Sequence, residues 1–290
     1  MNIKRTGSIP MRYMGLCMGL VASLLVSSPA IAVELQAVLD AQPAEAQARY
    51  QWRHPKETLE FFELQPGMTV VEALPGGGWY SHILLPYLGS EGRLVGADYA
   101  ADMWSKFGIF PADYIQGKQN WVQDWTAEAE GWRAEGDAAV AAFQFGSLPD
   151  ELVGTADLVL FIRALHNLAR FEADGAYLTT ALRDAHQVLK PGGLLGVVQH
   201  RAAADSADDW ADGRNGYLKQ AELIAQIEAA GFELLASSEI NANPADRPGP
   251  GDDVWRLPPS LATSRDIPEL RERMEAIGES DRMTLKFRKR

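Results

Sequence analysis

MTVVEALPGGGWYSHILLPYLGSEGRLVGAD, Met68 to Asp98, decides the fold. It reads as strand, glycine turn, helix, strand and acid. Met68 to Leu74 is a short apolar run with Glu72 near its end, and Pro75-Gly76-Gly77-Gly78 breaks it. Trp79 to Leu88 has helical spacing. Arg93 to Ala97 is a second apolar run, with Asp98 at its carboxyl tip. That order suits a doubly wound sheet that binds a nucleotide-type ligand. Glycines let backbone approach the ligand, and a helix N-terminus follows at once. A carboxylate ending the next strand can accept hydrogen bonds from ribose hydroxyls, so the ligand would carry an adenosine-like or dinucleotide group.

Working outward, the same alternation continues. His54-Pro55 interrupts a helical stretch from Ala44 to Leu64, and a new helix is expected over Lys56 to Leu64 with Leu59, Phe61 and Phe62 over the sheet. Asp137 to Phe145 reads as a third strand. Ala156 to Ile162 (ADLVLFI) is continuously apolar, as a strand buried on both faces should be. Phe171 to Leu189 and Lys219 to Ala230 read as helices, Leu194 to Gln199 and Phe232 to Ile240 as strands, and Met283 to Arg288 as the closing strand. Strands alternating with helices imply a Rossmann-like α/β fold: a doubly wound, mostly parallel sheet with helices on both faces. The last strand is expected to run antiparallel. Insertions fall near residues 100–135, rich in tryptophan, and 241–281, in which Asn241 to Pro259, rich in Pro, Gly and Asp, reads as a long loop and Ile267 to Ile277 as helical.

Residues 1–32 read as a signal peptide, leaving a single domain over 33–290. Lys4, Arg5 and Arg12 form a basic start, Tyr13 to Val26 is apolar, and the segment ends in an A-x-A pattern at Ala32. The apolar run is shorter than the roughly 20 residues a spanning helix needs. The expected location is exported, in the periplasm, with no membrane association after cleavage. Cys17, the one cysteine, lies in this segment, so the mature chain would lack thiol nucleophiles, thiolate ligands and disulfides. Removal of the three basic residues takes the formal net charge from −12 to −15. Such a surface repels nucleic acid and anionic lipid. The oligomeric state is not legible.

Several stretches together resemble class I S-adenosylmethionine-dependent methyltransferases: LQPGMTVVEALPGGGWY, LVGADY, ADLVLFIRALHN, LKPGGLLGVVQH and a closing strand. The resemblance covers about Thr58 to Arg288. More narrowly, RHPKETLEFFELQPGM, PGGGWY, an arginine followed by HN, and IGESDRMTLKF resemble a group of exported bacterial predicted methyltransferases. The resemblance implies S-adenosylmethionine as cofactor and methyl transfer to a small-molecule acceptor. The chain departs from the family pattern at Leu74, which stands at the first glycine position. It also shows no acid after the third strand, near Phe145-Gly146-Ser147.

On that reading Gly76 and Gly78 cradle the cofactor, Glu72 meets its amino end, Asp98 holds the ribose and Tyr99 stacks on adenine. Arg163, His166 and Asn167 follow the fourth strand at the carboxyl edge of the sheet, where ligands collect. His166 is the candidate base, with Asn167 and His200 as further candidate catalytic residues. His200 and Arg201 are neighbours on a strand, so at most one faces the cleft. No spacing supports a metal site, and no Gly-x-Ser-x-Gly elbow is present. Two alternatives stay open. One is a nicotinamide-dependent oxidoreductase, from Gly76-x-Gly78-x-x-Ser81 with Asp98 some twenty residues on. The other is a non-catalytic exported ligand-binding module on the same scaffold.

Overall fold

The computed structural model describes residues 1–3, 7 and 34–290. The expected signal peptide and its cleavage point lie almost wholly outside the described residues. Among the described residues no helix is long and apolar enough to cross a membrane.

Five parallel strands form most of one sheet: β1 (Thr69–Ala73), β2 (Arg93–Asp98), β3 (Ala139–Gln144), β4 (Ala156–Ile162) and β5 (Leu189–Ala202). A two-residue strand, β6 (Leu218–Lys219), pairs with the end of β5. β7 (Phe232–Ser238) and β8 (Arg282–Lys289) complete the sheet, in the order β3-β2-β1-β4-β5-β8-β7. β8 runs antiparallel to both β5 and β7, as the sequence suggested. The fold is Rossmann-like. The reversal from β1 to β4 puts a crevice beyond the carboxyl ends of those two strands.

The strands are apolar throughout because both faces are covered. Side chains alternate along a strand. Val71, Ala73, Val95, Val159 and Phe161 therefore join one core, with the helix Tyr177–Val188 against it. Val70, Leu94, Leu158 and Leu160 join the other, with the helices Pro55–Phe61, Ser81–Leu88 and Trp121–Trp132. Leu59 and Phe62 are fully buried there.

Element ends differ modestly from the sequence reading. The helix after the glycines begins at Ser81 rather than Trp79, because residues 76–80 are spent in turns. His54 takes a left-handed conformation (φ +40°), so the helix restarts at Pro55, whose missing N–H costs nothing at a helix start. Phe171 to Leu189 is two helices, because Ala176 is left-handed and breaks it before Tyr177. β5 begins earlier than Leu194, with a register shift against β4 that accommodates Lys190-Pro191-Gly192-Gly193. The tryptophan-rich insertion resolves into a 3₁₀ segment, Ala101–Phe107, a short helix, Ala112–Gly117, and the longer helix Trp121–Trp132. Trp125 lies over Gly96 of β2, where any Cβ would overlap its ring. The insertion is therefore partly core.

Candidate functional site

The carboxyl edge of the sheet gathers two chemically different groups of residues. Around β1 and β2 the fixed groups are acids. Glu72 is buried near the end of β1, and its Oε2 accepts a 2.6 Å hydrogen bond from Ser81 Oγ at the start of the following helix. Burial pushes the Glu72 carboxyl up to about 7, against the lowering effect of Ser81. Leu74 then turns left-handed (φ +55°), with its N–H bonded to Ala97 O at 2.7 Å. The chain thus keeps a glycine-type conformation at the position where the resembled family has glycine. A left-handed leucine costs roughly 1–2 kcal/mol.

The two glycines named in the sequence separate here. Gly76 (φ +56°) is exposed, and a Cβ there would meet nothing closer than 3.9 Å. Gly78 (φ +75°) is buried, and a Cβ there would lie 2.7 Å from the Trp132 ring. Gly76 therefore fronts open space, whereas Gly78 is required by the packing of the tryptophan-rich helix.

Asp98 ends β2, buried, with Oδ2 lacking any hydrogen bond. Lys118 Nζ stands 3.5 Å from that oxygen and 4.0 Å from the centroid of the Trp104 ring. Burial pushes the Asp98 carboxyl up to about 6, with Lys118 opposing the shift. Tyr99 is buried edge-on against Trp104, and its hydroxyl accepts a 2.9 Å bond from Asn167 Nδ2. That bond ties the end of β2 to the helix Leu165–Arg170 that follows β4.

Around β4 and β5 the fixed groups are imidazoles and guanidiniums. His166 and His200 are buried with ring centroids 5.4 Å apart. His200 Nδ1 shares a 2.5 Å hydrogen bond with Ser280 Oγ. His166 Nδ1 makes no hydrogen bond of good geometry, although the Gln199 amide lies against it with its own Oε1 unsatisfied. Burial lowers His166 to about 4, and lowers His200 as well, with the neighbouring His166 and arginine charges adding to it. Both rings are neutral at physiological pH. A base that weak is far from the value that favours proton abstraction there, so the pair suits hydrogen bonding and orientation. Arg201, next along β5, turns the other way, to Asp281 and Glu239. It borders a cavity of about 720 Å³ with Lys219, Asp246 and Asp281. Among the described residues, no group of three or more His, Asp, Glu or Cys side chains could hold a metal.

Sequence reasoning missed four contributors. Lys118 and Trp104 lie in the insertion and meet Asp98 only in three dimensions. Ser280 and Glu279 precede β8; Glu279 pairs with Arg49, Arg53, Arg163 and Arg282. The one signal available is the polar run Gly278-Glu279-Ser280-Asp281-Arg282, which reads equally as a solvated turn.

No family model and no curated protein matches the chain. Solved structures do. A chain of the complex between the Haloferax volcanii Trm112 methyltransferase activator and its candidate methyltransferase superposes with a TM-score of 0.51 at 17% identity. The match covers 88% of this chain and 97% of that one. The [4+2]-cyclase SpnF superposes with a TM-score of 0.50 at 18% identity, covering 82% of this chain and 80% of its own. The chain shares the fold of both. One of the two is a cyclase, so the scaffold alone does not fix the reaction.

Proposed function

We propose that this protein binds S-adenosylmethionine and transfers its methyl group to a small acceptor. The observation that carries the reading is the Asp98 carboxylate: buried at the tip of β2, with Lys118 3.5 Å from Oδ2 but no well-aligned hydrogen bond to that oxygen. It lies at the same sheet edge as the exposed, unobstructed turn at Gly76. A ribose diol would supply the well-aligned hydrogen bonds that Lys118 does not. Gly76 would let backbone approach the ligand, and Glu72 would face its ammonium end. Tyr99 is packed edge-on and held by Asn167, so its role is to shape the adenine side rather than to offer a free face. When bound, the cofactor supplies an electrophilic methyl group on a sulfonium. The chain supplies alignment and exclusion of water. His166 and His200, with Asn167 beside them, would orient the acceptor from the β4–β5 side.

The strand order favours this over a nicotinamide cofactor. Dinucleotide folds run 3-2-1-4-5-6 and parallel, whereas here an antiparallel β8 is inserted between β5 and β7. We further propose that the protein acts outside the cytoplasm after cleavage near Ala32, on the strength of the amino-terminal pattern. A second reading, a non-catalytic binding module, draws support from Leu74 at the resembled family's first glycine position and from Trp132 packed over Gly78.

Calorimetric titration of S-adenosylmethionine into the purified protein tests the reading. Saturable micromolar binding is expected. Asp98→Ala should weaken it by about 2 kcal/mol, or some thirtyfold, as loss of a charge-assisted hydrogen-bond acceptor. Absence of binding by demonstrably folded protein would reject the cofactor assignment.

A further inference from the structure

Beside the glycine turn, four arginines from three separate stretches surround one acid. Glu279 accepts hydrogen bonds from Arg49, from Arg53 Nε at 3.1 Å and from Arg282 Nη1 at 3.0 Å. Arg163 Nη1 stands 3.8 Å away. Arg53 also stacks on Trp79, 4.5 Å from its ring centroid, which places the cluster next to the turn. Arg53, Glu279 and Arg282 are buried. The Arg49 and Arg163 side chains are 25% and 26% exposed and lie on the solvent side of the cluster.

Two other arginine networks lean the opposite way, each setting one cation against two acids. Arg256 meets Asp246 and Asp252, and Arg201 meets Asp281 and Glu239. The Glu279 cluster carries four positive charges against one negative, in a chain whose net charge is −12. Burial works against the charges on Arg53, Arg163 and Arg282. Uncompensated buried charge is strongly unfavourable. Donors are also left over: Arg53 Nη1, Arg163 Nε and Arg282 Nε are buried with no partner. Arg163 makes no side-chain hydrogen bond among the described residues. Its backbone is left-handed (φ +59°) directly after β4, fixed by a 2.6 Å bond from its N–H to Val198 O. Such strain persists where the surroundings over-determine it and is frequent at ligand sites.

We propose that this cluster binds an oxyanion, a carboxylate or phosphate group, carried by the acceptor. Arg163 and Arg49 make contact from the solvent side, and Arg53 and Arg282 supply field from behind. Planar guanidinium forks match both anions. The assignment to an acceptor rests on reading the adjacent turn as the cofactor site.

The test uses the full protein with inorganic phosphate and S-adenosylmethionine as separate titrants, at constant ionic strength set with chloride. Phosphate should bind saturably and raise the melting temperature. Arg163→Gln should weaken phosphate binding about tenfold, as loss of a charged hydrogen-bond donor, and leave S-adenosylmethionine affinity unchanged. Arg163→Lys should recover part of the loss. Absence of phosphate binding, or equal binding by Arg163→Gln, overturns the site. If Arg163→Gln instead weakens S-adenosylmethionine and phosphate competes with it, the anion is the cofactor's carboxylate and the acceptor assignment falls. If phosphate binds through Arg163 but S-adenosylmethionine does not bind at all, the anion site stands and the methyl-transfer reading fails.

Discussion

The two halves of the sheet edge are opposite in charge and in construction. At β1 and β2, two buried carboxylates, Glu72 and Asp98, sit with at most one cation nearby, Lys118. At β4, β5 and β8, four arginines crowd one carboxylate, Glu279. The first half is assembled from a continuous stretch of chain. The second is drawn together from residues 49–53, 163 and 279–282. The proposed ligands divide in the same way, a cationic sulfonium and ammonium on the acidic side and an oxyanion on the basic side.

The largest expected effect breaks the basic half. Glu279→Gln removes the one acid holding the arginines together and should destabilise the fold by about 3–5 kcal/mol, measured by urea unfolding. A loss below about 1 kcal/mol would mean that water or ions already compensate the cluster.

The next prediction concerns the acidic half and has a definite sign with pH. Glu72 titrates near 7 in the folded chain against an ordinary 4.5, because it is buried. The folded state therefore holds a proton that the unfolded state has released. The stability this contributes is complete below about pH 4.5 and is lost as pH rises through about 7. Asp98 acts in the same direction over a lower range, from 3.8 to about 6. Unfolding free energies of wild type and Glu72→Gln should diverge across that window by on the order of 3 kcal/mol. Parallel curves would show that Glu72 ionises normally.

The smallest effect refines the comparison at the turn itself. Leu74→Gly relieves a left-handed leucine but removes a side chain packed on the core. The two nearly cancel, so stability should change by less than about 1 kcal/mol. Cofactor affinity should rise if Leu74 narrows the turn, and an unchanged affinity would show that it does not.

The same contrast explains what the sequence disclosed. The strand–turn–helix–strand order around Gly76 is local, so periodicity and glycine placement expose it, and Asp98 follows from its position at a strand end. β8 was legible as a strand from its alternation. Its polar neighbours were legible only as a polar run, since nothing in Gly278 to Arg282 says which distant arginines they meet. Gly78 shows the limit of motif reading. It fits a ligand-cradling pattern, yet its lack of a side chain is needed by Trp132, some fifty residues further along. The helices of the insertion could not be placed from sequence because its 3₁₀ and short helical pieces have no clean period. In the fold it supplies Trp125 to the core and Lys118 to Asp98.

The placement of β8 has a consequence for how the molecule comes together. β8 is synthesised after β5 and β7 but lies between them, so those two strands have no direct pairing. Until β8 docks, β5 presents an open row of backbone donors and acceptors, the kind of edge that recruits other chains. Glu279, Ser280 and Arg282 arrive with that strand. The arginine cluster therefore cannot be complete in a partly folded chain, and the proposed anion would bind only molecules in which the last strand has been threaded home.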